Sequence, residues 1–351
     1  MPLDHINVNV SDLEESLKFY KAALKPLGYK VKMSFSDDQV VGFGDGWMPA
    51  CDFWVVGPNA PSADGSEVRN PPPPNGPPRK LTGSMHIAFT AKNRRTVREF
   101  YKAAIAAGAK CNGPPGLRPE YFSLYYGAFV LDPDGRNIEA VCTRPGFVAE
   151  EWGAFGWIIF GALLGCNSIH LTKMSLNHIS INVTNMEESL VFYKAALKPL
   201  GYKVKMSFVD GQVVGMGSGW MPGADFWLSG PGTPSADGSE VRNPPPADAP
   251  ARTPTGAMHI AFTAKNRRTV REFYKAAIAA GAKCNGPPGL RPEYFCLYYG
   301  AFVLDPDGRN IEAVCMRSAT LSEEWGIVGW SVFTLLVGAV SGGIAKFYGF
   351  L

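Results

Sequence analysis

The chain has 351 residues, 46% of them apolar, which is length and composition enough for two cored domains, or three. Its 34 basic and 31 acidic side chains leave a formal charge of +3, too small a surplus to indicate a nucleic-acid or acidic partner. Seven cysteines with no C-x-x-C pair argue against a disulfide framework and for a reducing compartment, and the opening MPLDHINVNVSD lacks the basic-then-apolar pattern of a secretory signal.

In chain order, HINVNV alternates with period two. Ile6, Val8 and Val10 share one face of a strand, and His5, Asn7 and Asn9 share the other. A helix follows, with capping-box spacing between Ser11 and Glu14 and an apolar stripe of Leu13, Leu17, Tyr20 and Leu24; Gly28 is its stop. Tyr29–Phe35, Gln39–Phe43 and Asp52–Val56 read as strands. Gly57–Gly83, carrying PPPPNGPP, and its partner Gly230–Gly256 read as stiff spacers, with a proline-rich docking site as the alternative.

The order then repeats. MHIAFTA at Met85 is a strand, and a helix over Thr96–Gly108 has capping spacing from Thr96 to Glu99. Tyr121–Tyr125, Ala128–Leu131 and Asn137–Cys142 read as strands, with a turn at Asp132–Gly135. Each half is thus β-α-β-β-β. The apolar stretch Trp152–Cys166 is short for a membrane span and reads as an interdomain or interfacial segment.

At His178 the whole pattern restarts. The spacing is a constant 173 residues (5 to 178, 86 to 259, 139 to 312), and residues 85–142 and 258–315 differ only at Ser123 versus Cys296. A period this long means whole domains in tandem. The expected organisation is a first domain over 1–146, a hydrophobic connection over 147–173, a second domain over 174–318, and a tail over 319–351. In the tail, Trp325–Ala345 is uncharged and proline-free, with Gly338 and Gly342 at G-x-x-x-G spacing. Its length suits a single membrane-spanning helix, which would anchor cytosolic domains; an entirely cytoplasmic protein is the alternative.

Chemistry concentrates on three positions per copy. His5 and His86 each open the first strand of a module, on the face opposite its apolar residues, and Glu139 sits likewise on a module's last strand. His178, His259 and Glu312 repeat them. Two imidazoles and a carboxylate are ligands for a divalent transition metal, leaving positions open for water or substrate.

The segments HINVNVSDLEESLKFY, KPLGY, DFW, HIAFTAK, GLRPEY and YYGAFVLDPDGRNIEAV, with their second-copy partners, resemble the vicinal-oxygen-chelate superfamily, which includes glyoxalase I, fosfomycin-resistance thiol transferases and extradiol dioxygenases. The likeness is greatest to small glyoxalase-like proteins common in fungi. It implies an α+β fold of four βαβββ modules paired into two cups, each cup closing around a divalent ion (Fe, Mn, Zn or Ni). The two modules of each copy are expected to pair with each other, placing His5, His86 and Glu139 in one cup and His178, His259 and Glu312 in the other. Glyoxalase I uses a fourth ligand, and the resemblance lays Trp54 and Trp227 where that carboxylate would stand.

Arg118, Tyr121, Tyr125 and Tyr126, with Arg291, Tyr294 and Tyr299 in the second copy, are candidate substrate contacts, as are Trp54 and Trp227 in the cup. The arginine suits a carboxylate or phosphate and the tyrosines a ring or hydrogen bond; Arg118 paired with Glu120 or Asp132, over core tyrosines, is the alternative. The expectation is a tandem glyoxalase- or dioxygenase-like protein acting on a small oxygenated metabolite through chelation to metal, or a non-catalytic protein of the same fold that sequesters one. Self-association is left open.

Overall fold

The computed structural model describes residues 3–45, 50–60, 82–144, 176–218, 223–231, 233, 255–317, 331 and 335. The first module comprises β1 (Leu3–Asn9), α1 (Leu13–Leu24), β2 (Lys30–Phe35), β3 (Val40–Gly44) and β4 (Phe53–Val56). The second comprises β5 (Met85–Thr90), α2 (Arg94–Ala106), β6 (Lys110–Leu117), β7 (Tyr126–Leu131) and β8 (Asn137–Cys142). The third comprises β9 (Leu176–Asn182), α3 (Met186–Ala196), β10 (Tyr202–Phe208), β11 (Val213–Ser218) and β12 (Phe226–Ser229). The fourth comprises β13 (Met258–Thr263), α4 (Arg267–Ala279), β14 (Lys283–Leu290), β15 (Tyr299–Leu304) and β16 (Asn310–Cys315). The α+β reading and the four βαβββ modules hold.

The alternation read in HINVNV is realised: Ile6 and Val8 are fully buried, while His5 and Asn7 keep some exposure on the opposite face. α1 begins one residue later than its capping signal suggested, because Asp12 accepts from the Glu15 amide; Ser11 instead turns its hydroxyl to Asp134. α2 is capped by Asn93, which accepts from the Thr96 amide at 2.7 Å. Gly28 ends the first helical segment in the left-handed region, φ 81°. The strand expected at Tyr121–Tyr125 is absent. Its place in the order is taken by β6, KCNGPPGL, whose glycines and prolines hide the period-two signal. Such residues are tolerated there because β6 lies at a sheet edge and its register shifts twice against β7.

The module pairing differs from expectation. One sheet runs β14-β15-β16-β13-β1-β4-β3-β2 and the other β10-β11-β12-β9-β5-β8-β7-β6. The first module therefore pairs with the fourth through antiparallel β1–β13, and the second with the third through β5–β9. Each cup takes one module from each copy. The modules within a copy are joined through their helix sides instead: α1 packs on α2, and α3 on α4. Phe89 of the second module meets Phe53 and Tyr29 of the first at ring-centroid distances of 5.5 and 5.3 Å, and Phe262 repeats this with Phe226 and Tyr202. One continuous apolar core thus serves both sheets.

A buried arginine locks the two modules of a copy together. Arg136 donates from Nε to Thr82 O, from Nη1 to Asp132, and from Nη2 to Asn9 O and Asp134. Tyr20 on α1 donates to the same Asp132 at 2.6 Å. Arg309, Asp305 and Tyr193 repeat the arrangement. Burial opposes the Arg136 charge, but Asp132, Tyr20 and Asp134 together more than offset it, and the guanidinium is held above its ordinary range.

Most of the spacers within each copy, the segment Trp152–Cys166 and the apolar tail lie outside the described residues, apart from Ser331 and Leu335, which are exposed helical positions. Among the described residues no helix is long and apolar enough to cross a membrane.

Candidate metal centres

The register of three neighbouring strands brings the ligand set together. In one sheet Ala88 on β5 stands opposite His178 on β9 and opposite Glu139 on β8, with His86 two residues back on β5. Side chains two apart share a face, so all three polar groups rise over Ala88, whose single methyl leaves the space open. His86 Nε2 lies 3.0 Å from Glu139 Oε2 and 3.2 Å from His178 Nε2, and His178 Nε2 lies 3.8 Å from the same carboxylate oxygen. The other sheet repeats this over Ala261: His259 Nε2 is 3.1 Å, and His5 Nε2 3.9 Å, from Glu312 Oε2.

All six expected ligands thus fall into two triads, but each triad draws on both copies. His5 joins His259 and Glu312; His178 joins His86 and Glu139. The sets His5–His86–Glu139 and His178–His259–Glu312 are not formed, because β1 pairs with β13 rather than β5.

Both triads fit a small divalent cation. Ligands about 2.1 Å from one ion at tetrahedral to right angles stand about 3.0–3.4 Å apart; the contacts of His86 and His259, at 3.0–3.2 Å, fall in that range, and His178 and His5, at 3.8 and 3.9 Å from the carboxylate oxygen, stand somewhat beyond it. Glu139 Oε1 and Glu312 Oε1 are buried without a hydrogen-bond partner, a costly arrangement for a carboxylate that nothing neutralises. Space for the carboxylate is secured by glycine: a β-carbon on Gly127 would stand 2.6 Å from Glu139 Oε1, and one on Gly300 2.5 Å from Glu312 Oε1.

His5 Nδ1 donates to Asp4 Oδ1 and His178 Nδ1 to Asn177 Oδ1, each at 2.8 Å, which leaves both Nε2 atoms as acceptors toward the triad. Burial pulls His5 down, but its bond to Asp4 and the charges of Asp4, Glu312 and Asp52 leave it raised. Burial and His86 hold His178 well below its ordinary value. Burial also lowers His259, against the pull of Glu312, and its Nδ1 is buried without a partner.

The strand register puts Trp54 opposite Asn7 and Trp227 opposite Ser180, the places related to Glu312 and Glu139 by the internal symmetry of each cup. A tryptophan thus stands where a fourth ligand would complete the set. Each forms an aromatic wall, Trp54 stacked on Phe35 at 5.9 Å and Trp227 on Phe208 at 6.2 Å. Arg118 reaches the same face as the triad, its guanidinium 5.5 Å over Phe129, which pairs with Glu139 across β7–β8. Two of its nitrogens donate to Pro114 O and Leu117 O. Asp132, an alternative partner for Arg118 in sequence, is taken by Arg136. Arg291 repeats the geometry over Phe302.

The tyrosines divide. Tyr126 and Tyr299 lie on the helix side, under Arg94 and Arg267 at 5.2 and 5.1 Å. Their neighbours Tyr125 and Tyr298 face the cup, where burial, then the charge of Glu139 or Glu312, holds each phenol well above its ordinary range. Tyr121 and Tyr294 are exposed and meet Tyr125 and Tyr298 edge-on at 5.2 and 5.1 Å.

The family model for the Glyoxalase/Bleomycin resistance protein/Dioxygenase superfamily matches residues 2–140 and 175–313. Among solved structures, a single-residue mutant of glyoxalase I from Zea mays is similar with a TM-score of 0.50 and 16% identity, over 90% of this chain and 92% of that one. A glyoxalase/bleomycin resistance protein from Albidiferax ferrireducens T118 is 30% identical over 40% of this chain and 95% of its own, with a TM-score of 0.28. The Mn(II)-bound glyoxalase from Novosphingobium aromaticivorans is 13% identical over 93% of this chain and 90% of its own, with a TM-score of 0.31. No curated protein matches the sequence.

Proposed function

The chain belongs to the Glyoxalase/Bleomycin resistance protein/Dioxygenase superfamily, and on that premise we propose that it is a metal-dependent enzyme with two cups, each acting on a small metabolite with adjacent oxygens. The convergence of two imidazole nitrogens and a carboxylate whose second oxygen is buried and unpaired carries this reading. His86, His178 and Glu139 would hold one ion; His5, His259 and Glu312 the other. A divalent ion bound there supplies Lewis-acid polarisation of the oxygens that chelate it.

The chain's own residues shape what enters. Trp54 with Phe35, and Trp227 with Phe208, supply flat apolar walls. Arg118 and Arg291 place a cation over the cup face and select for an anionic group such as a carboxylate. Tyr125 and Tyr298 present phenols that keep their proton beside the carboxylate ligand, suited to donating a hydrogen bond to substrate oxygen.

A second reading, sequestration without turnover, is favoured by the histidine inventory: beyond the four in the triads the chain has only His170, which lies outside the described residues. The deciding experiment loads full-length protein with Mn, Fe, Zn or Ni and offers hemithioacetals, epoxides with thiols, and catechols. Turnover lost in the Glu139→Gln, Glu312→Gln double variant supports the enzyme. Saturable binding of these compounds without turnover supports sequestration.

The boundaries 1–146 and 174–318 remain the proposed repeat units, with each cup shared between them. Trp325–Ala345 is proposed as a membrane anchor on its uncharged, proline-free sequence. Carbonate extraction of the full chain against one ending at Ser322 tests it: both forms in the supernatant would refute anchoring.

A further inference from the structure

The two triads carry the same ligands but differ in the residue behind the first histidine. In one cup His5 Nδ1 donates to the Asp4 carboxylate, whose other oxygen accepts from Thr263 Oγ1 at 2.9 Å. In the other, His178 Nδ1 donates to the Asn177 carboxamide oxygen, and the Asn177 amide donates to Thr90 Oγ1 at 3.0 Å. Geometry is conserved while charge is not. A carboxylate behind a ligating imidazole makes its far nitrogen more basic and adds a negative charge near the ion; a carboxamide only orients the ring.

A second difference points the same way. Opposite the second histidine, one cup has Asn7 and the other Ser180. Asn7 keeps a buried Oδ1 without a hydrogen-bond partner on the cup face, whereas the Ser180 hydroxyl is engaged with Ser229 at 3.1 Å. The Asn7 cup is therefore richer in uncommitted oxygen.

Resting on the metal reading above, we propose that the two cups are unequal metal sites, with Asp4 making the His5–His259–Glu312 site the tighter one and Asn177 leaving the His86–Glu139–His178 site the weaker. The weaker site would fill only at higher free metal, so that at limiting metal one cup of the two is loaded. Asp4 is a positioning residue: it acts through His5.

The test is titration of metal-free full-length protein with Mn²⁺, free ion being read by electron paramagnetic resonance. Two classes of site about 10–100-fold apart are expected, the usual range for a partner behind a histidine ligand. Asp4→Asn should bring the tight class to the weak one, and Asn177→Asp the weak class to the tight one. Both substitutions are near-isosteric and preserve the hydrogen bonds, and unchanged circular dichroism would confirm the fold. His5→Ala should abolish the tight class alone. Two equivalent sites, indifferent to Asp4→Asn, would overturn the inequality and leave the metal reading standing. No uptake at either site would overturn both.

Discussion

His5 and His259 stand with ring centroids 5.2 Å apart and tilted 36° to one another, although one lies in the first strand of the chain and the other deep in the second repeat. His86 and His178 form the same pair at 5.1 Å. Each repeat therefore gives one histidine to each cup, and neither repeat holds a complete triad.

From this follows the behaviour of half a chain. Residues 1–146 alone leave β1 without β13 and β5 without β9, exposing strand edges beside an apolar core. Because β5 and β13 have the same sequence, a second copy of the fragment can supply both missing partners. The fragment should be a homodimer by light scattering and should bind two ions per dimer. A monomer that retains metal would contradict the crossed arrangement.

Gly127→Ala should displace Glu139, since the new methyl would stand 2.6 Å from Oε1. The expected result is loss of one of two bound ions, with about 1–3 kcal/mol of destabilisation from overpacking. Elemental analysis checks it, and retention of both ions would show that the carboxylate moves without cost.

Arg136→Met removes the ion-pair partner of a fully buried Asp132 and leaves Thr82 O without its donor, while Asn9 O keeps only the Thr82 amide. Breaking one half of a buried ion pair typically costs about 3–5 kcal/mol. Chemical denaturation should show a loss of that order, and the substitution should weaken the packing of α1 on α2. A change under about 0.5 kcal/mol, the scale of an ordinary surface substitution, would mean the bridge is dispensable.

Burial lifts the Asp225 carboxyl to about 6, against the pull of Tyr202. The folded chain then holds this proton more tightly than the unfolded chain does. Its contribution favours folding at low pH, falls as pH rises from about 4 to about 6, and is flat above, an effect of about 2–3 kcal/mol. Asp225→Asn should match the parent near pH 4 and exceed it in urea resistance at pH 7. Parallel stability curves across that interval would refute the assignment.

Much of this was legible in sequence. Period two in HINVNV and MHIAFTA placed each histidine on the cup face, and the position of Glu139 on the last strand placed the carboxylate. Which histidine meets which was not legible, because β5 and β13 are identical and no local pattern distinguishes them as partners for β1. The choice is made by the Tyr20–Asp132–Arg136 bridge and the Phe53–Phe89 contact, which bind the modules of one copy through their helix sides. Arg136 stood unmarked at the end of a D-P-D-G turn; its one signal was a charged side chain placed directly before a buried strand. Of Tyr125 and Tyr126 only Tyr125 faces the cup, because adjacent residues entering a strand take opposite faces, and nothing in the sequence said which. Asp4 gave no signal beyond adjacency to His5, since residues next to one another in a strand ordinarily point apart.

The crossed triads are tested most directly by paired histidine substitutions read as ions bound per full-length chain. The parent should bind two. His5→Ala with His259→Ala damages one cup and should leave one ion; His5→Ala with His86→Ala damages both and should leave none. If instead the His5, His86 pair leaves one ion and the His5, His259 pair leaves none, each repeat holds its own metal and the crossed pairing of the modules is wrong.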